Sequence, residues 1–114
     1  MAHITTRQAW AQAQVAGEYT APSLQKQGFI HCSRPDATQL IPVANFLYRG
    51  QSDLVVLLIE PARLTAQLKW EEFEVGSQRY PHIYGPINLE AVVEVLDFPP
   101  RPDGTFELPL GLPV

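Results

Sequence analysis

At 114 residues, 46% of them apolar, the chain has the length and composition of one compact domain, which excludes a disordered polypeptide and a string of modules. Eight basic residues against twelve acidic ones give a net charge of -4 with no run of like charge. That balance excludes an extended nucleic-acid surface but leaves room for a small anionic ligand held by a few donors. The single cysteine, Cys32, allows no intrachain disulfide, and neither a secretory leader nor a membrane-length apolar span is visible, so the cytoplasm, away from membranes, is the expected location.

Ala2 to Thr5 reads as a short strand, and Thr6 as the cap of a helix that runs through Trp10, Ala13 and Val15 and ends at Gly17. Trp10 is expected to anchor that helix on a sheet. "APSLQKQG" reads as one short helical turn ended by Gly28, and "GFIHCS" as the strand that follows it. Ser33, Pro35 and Asp36 carry helix-start chemistry, which predicts a helix from about Pro35 to Tyr48 capped by Ser33, with a kink at Pro42 and Gly50 closing it. The unbroken run Leu54 to Ile59 is rich in branched residues and predicts a central strand buried on both faces, with Leu57 and Leu58 deep inside. "LTAQLKWEEFEVG" sets Leu68, Trp70 and Glu72 against Lys69, Glu71 and Phe73, a strand pattern. "LEAVVEVLDF" predicts a further strand with a bulge, because Val92 and Val95 break its alternation. From Pro99 onward five of the eleven prolines fall in sixteen residues, marking a non-helical tail with room for a short strand at "TFELPL". Short strands of both alternating and continuous apolar type, with only two substantial helices, indicate an α+β fold with a mixed, largely antiparallel sheet.

All three histidines stand in short apolar strands with a hydroxyl residue two positions later: His3 with Thr5, His31 with Ser33, and His82 with Tyr84. Strand alternation places each such pair on one face and the intervening Ile4, Cys32 or Ile83 on the other. A neutral imidazole beside a hydroxyl or phenol offers a donor and an acceptor to a ribose or a phosphate. Each residue also has a plainer role open to it. A half-buried histidine needs only one local partner, Ser33 can serve as a helix cap, Cys32 is a small core residue, Gly85-Pro86 is a turn, and Tyr84 can roof the core.

"Y...APSL...GFIHCS", the "VAN" of the following helix, "LVVLLIE" and "PHIYGPINLEAV" occur in order, and together they resemble the small bacterial and plant family DUF952 up to about Phe98. The resemblance divides the chain into a domain at 1–98 and a proline-rich tail at 99–114. It also implies an ADP-ribosyltransferase-like fold, in which a split sheet with flanking helices holds NAD in a cleft. By that resemblance His3 matches a first-strand residue of the cleft, and "FIHCS" supplies a second element through His31 and Ser33. The third element is usually an acid, and "YPHIYGP" has none, so His82 takes its neighbourhood or Glu71 or Glu72 reaches in. The resemblance thus implies His31, His82 and Glu71 as catalytic residues and His3, Ser33 and Tyr84 as residues that hold NAD or a related nucleotide, with no metal expected. Two further readings remain open at this point: the three histidines as ligands of a metal ion, and an interaction module in which they are structural.

Overall fold

A computed structural model describes residues 1–72 and 78–112. Strand β1 (Ala2–Thr6) runs straight into helix α1 (Arg7–Ala16) because the Thr6 hydroxyl accepts the Ala9 amide at 3.0 Å, and Gly17 ends the helix in the left-handed conformation, φ 89°. A two-residue strand, β2 (Glu18–Tyr19), leads to helix α2 (Pro22–Gln27), which Gly28 ends in the same way. After β3 (Ile30–His31) come helix α3 (Leu40–Leu47) and strands β4 (Leu54–Ile59), β5 (Gln67–Glu72), β6 (Arg79–Tyr84), β7 (Ile87–Asn88) and β8 (Val92–Asp97). Phe73 to Gly76, the end of the predicted "LTAQLKWEEFEVG" strand, lie outside the described residues.

The strands form three small sheets, β1-β4-β8, β2-β7 and β3-β6-β5, and every pairing among the described residues is antiparallel. The fold is thus α+β with antiparallel sheets and few helices. β4 is the central strand of its sheet and all six of its residues are buried. Its alternate residues feed two cores. Leu54, Val56 and Leu58 pack with Leu40, Ala44 and Phe98 on one side, and Val55, Leu57 and Ile59 pack with Tyr19, Ile30, Cys32 and Ile83 on the other. The expected bulge is present in β8: Leu58 faces Glu94 and Ile59 faces Val92, so Val93 is passed over.

The third helix corrects the sequence reading. It starts at Leu40, not Pro35, and Ser33 does not cap it. Ser33 is drawn instead into a backbone bridge with Ala2, each amide donating to the other's carbonyl at 2.8 Å. Asp36 shapes the turn before the helix. Its carboxylate accepts the amides of Thr38 and Gln39, and its carbonyl accepts the Leu40 amide at 2.9 Å. Pro42 consequently lies in the first turn, where no amide partner is required.

Among its described residues, 99–112, the proline-rich end is not helical, and it forms no strand at "TFELPL". It is not a free appendage either. Phe106 is 1% exposed, stacks on Phe98 with ring centroids 4.8 Å apart, and donates its amide to the Asn45 side chain at 2.8 Å. The packed unit therefore extends past Phe98. No helix among the described residues is long and apolar enough to cross a membrane.

Candidate functional site

Ala2 and Ser33 are the hinge point of the site. At their bridge β1 touches the chain two residues past the end of β3; β1 itself pairs with β4 along its length while β3 pairs with β6, so the two strands belong to different sheets. A cavity of about 320 Å³ occupies the gap. His3, Thr5 and Thr6 line it from β1, His31 and Ser33 from the β3 side, and Tyr19, Tyr48 and Tyr80 add phenol rings. Val43 and Leu47 of α3 and Ala21 and Pro22 near α2 complete an apolar wall.

His3 is buried here, and both of its ring nitrogens are engaged. Nδ1 lies 2.6 Å from the His31 carbonyl and Nε2 lies 2.7 Å from the Tyr19 hydroxyl. A carbonyl only accepts, so Nδ1 carries the proton. Burial pushes the imidazole down to about 4, against which the hydrogen bond to the His31 carbonyl works only in part. The ring is therefore neutral at pH 7 and accepts at Nε2 from Tyr19, whose oxygen stands 2.9 Å from the Thr5 hydroxyl. Desolvation also pushes the Tyr19 phenol up to about 12 and the Cys32 thiol up to about 12, so Cys32 is an inert wall residue.

A second group of side chains stands on the opposite side of β3. His31 and His82 are directly opposed across β3 and β6, with ring centroids 5.3 Å apart and nearly perpendicular. Phe29 lies almost flat on His82, centroids 4.1 Å apart at 17°, and touches the His31 and Tyr84 rings as well. From β5, one oxygen of Glu71 accepts the Nδ1 proton of His82 at 3.0 Å and also takes the Tyr84 hydroxyl. These two donors, Tyr84 first, hold the Glu71 carboxyl below its ordinary value, and the same contact raises the Tyr84 phenol. His31 Nε2 is 2.6 Å from the Gln27 amide oxygen.

The six residues singled out in the sequence thus divide into two groups that meet at β3. His3 and Ser33 line the cavity together with His31, whereas His82, Glu71 and Tyr84 form the second cluster beside the His31 ring. The residues that the resemblance gathers in one cleft thus lie in two neighbouring groups, because β1 pairs with β4 and β3 with β6, with the Ala2–Ser33 bridge between them. Nor do the histidines converge on a common point: both nitrogens of His3, one of His31 and one of His82 already have protein partners. Among the described residues no three His, Cys, Asp or Glu side chains are placed to share a metal ion. Tyr19 opens the "Y...APSL" motif, but nothing in the sequence gives it a role in the site, since its two-residue strand exists only through pairing with Ile87 and Asn88. Strand alternation puts Phe29 on the His31 face but assigns it no contact with His82.

Residues 4–95 match the family model of DUF952, a protein family of unknown function. The chain is similar to the protein CC0527 from Caulobacter crescentus, a structural genomics target. Its crystal structure shares 31% identity, with a TM-score of 0.83 over 94% of this chain and 92% of that one. The solution structure of the same protein shares 32% identity, with a TM-score of 0.79 over 94% and 90%. No curated protein matches the chain.

Proposed function

The chain belongs to the DUF952 family, and on that footing we propose that it binds a small ring-bearing ligand in the cleft between β1 and β3, with NAD or a related nucleotide entering by one nucleoside end. The observation that carries this reading is the cavity where the two strands part, walled by apolar side chains and tyrosine rings around a neutral, oriented imidazole. Ligand pockets run from roughly 300 to 1,000 Å³. This one, at about 320 Å³, is at the small end and suits one base with its sugar rather than a whole dinucleotide. Antiparallel sheets that separate around such a cleft also support an ADP-ribosyltransferase-like reading of the fold, as a matter of analogy.

Binding is proposed here, and transfer is not. Breaking a nicotinamide glycosidic bond builds positive charge on the ribose, which a carboxylate in the cleft would stabilise. Among the described residues no carboxylate lines the cavity, and Glu71 is engaged with His82 and Tyr84 outside it.

Amide NMR titration with adenosine, nicotinamide, ADP-ribose and NAD tests the reading. Shifts are expected at Thr5, Tyr19 and Ser33, and they should disappear in Ser23→Trp, which fills the cavity from its half-buried rim without touching the core. If none of the four compounds moves these amides, the nucleotide reading is wrong.

A further inference from the structure

His82 has one ring atom that the fold does not use. A carboxylate accepts and cannot donate, so the Glu71 contact places the His82 proton on Nδ1 and leaves Nε2 as a bare lone pair in the neutral ring. That atom is buried, in a side chain only 3% exposed, and it has no hydrogen-bond partner. His3 shows the contrast: buried to a similar degree, it has both nitrogens satisfied. A buried polar atom without a partner calls for a reason, and here the atom is an acceptor on a ring whose orientation two neighbouring strands enforce.

The surroundings supply the rest of a site. Glu71 is held in turn by the Tyr84 hydroxyl, so the carboxylate that aims the imidazole is itself fixed. Lys69 Nζ lies 4.8 Å from the Tyr84 ring centroid, on the same face. Phe29 covers the His82 ring, yet Phe29 is only half-buried and follows Gly28, which adopts φ 89° at the end of α2. Carboxylate, imidazole and an unpartnered Nε2 form the orienting half of a general-base pair, with a half-buried aromatic side chain over it.

We propose that Glu71 and His82 form a second site, distinct from the β1–β3 cleft, that binds a small neutral molecule through one O–H or N–H donated to His82 Nε2. The aromatic neighbours Phe29, His31 and Tyr84 favour a flat, largely apolar body on that molecule, and a phenol is the simplest member of the class. When the donor is acidic enough, its proton passes to Nε2, the ligand is left as an anion, and the imidazolium is stabilised by the Glu71 carboxylate while Nδ1 keeps its own proton. Access follows the fraction of time that Phe29 is displaced.

Nitrogen NMR of the imidazoles and carbethoxylation by diethyl pyrocarbonate, with each histidine followed by mass spectrometry, test this directly. In the neutral form of the His82 ring the imidazole spectrum should place the proton on Nδ1. His82 should react in the native protein, through attack of Nε2 on the reagent's carbonyl carbon with loss of ethyl carbonate. A cover that is open a tenth of the time or less slows access by about tenfold or more, so Phe29→Ala should accelerate the reaction by about that factor. Phe29→Leu provides the same comparison with less risk to the fold. Phenol should protect His82, and toluene, which has the ring without the donor, should not. Glu71→Gln should slow the reaction at His82 and leave His31 unchanged. The proposal fails if His82 is inert in all these proteins while His31 reacts, if the proton is found on Nε2, or if phenol and toluene protect equally, which would make the spot an apolar void. None of these outcomes depends on whether a nucleotide occupies the other cleft.

Discussion

Acid should weaken this protein through His3 in a way that can be isolated. In the unfolded chain the imidazole titrates near 6.5; in the fold, burial lowers it to about 4. The folded state therefore binds fewer protons than the unfolded state between those values, and the stability contributed by neutral His3 is fully present above about 6.5 and lost as the pH falls to about 4. Each pH unit of displacement is worth about 1.4 kcal/mol, so the whole contribution is about 3 kcal/mol, with about 1 kcal/mol already gone at a pH near 5.5. Against a total of roughly 5 to 15 kcal/mol for a small domain, that is a large fraction. Urea unfolding at several pH values between about 7 and 4 measures it in the native chain and in His3→Asn. The asparagine amide can donate to the His31 carbonyl but does not titrate. The variant should start less stable, having lost the Tyr19 contact, and its stability should fall less steeply over this range. Carboxylates contribute equally to both proteins, so the difference between the two slopes belongs to His3. If both proteins lose stability in parallel from 6.5 to 4, His3 is not the buried neutral group its contacts describe.

The proline-rich end and the turn after β6 give two further tests. Phe106→Ala removes a fully buried ring stacked on Phe98 and should cost about 3 to 5 kcal/mol in chemical denaturation; a loss near zero would mean that this ring is not part of the core. At Gly85 an added methyl carbon would stand 2.9 Å from the Ala66 Cβ, so Gly85→Ala should lower stability by about 1 to 3 kcal/mol. The double variant with Ala66→Gly should recover most of that loss, and no recovery would place the cost elsewhere than in this contact.

Where the governing interactions are local, the sequence by itself determined the structure. Thr6 and Gly17 bracket α1, Gly28 ends α2, and the branched run of β4 can be satisfied only in a strand with apolar cover on both faces. The bulge in β8 was also legible, since broken alternation leaves a strand no other way to keep its apolar side inward. Alternation likewise determined the face each histidine occupies, because it depends on the pleat alone. It could not say which residue each would meet. Ser33 has the chemistry of a cap, but the backbone of Ala2 reaches it first, and Asp36 organises the turn that leads into the helix. Glu71 reaches His82 because β5 and β6 pair with Lys69 opposite His82, and His3 stands in a different sheet from His82 because β1 pairs with β4 while β6 pairs with β3 and β5. These are choices of register between segments far apart in the chain. A one-residue slip would reverse every face, and the burial of whole sheets, not any local preference, holds the observed pairing in place.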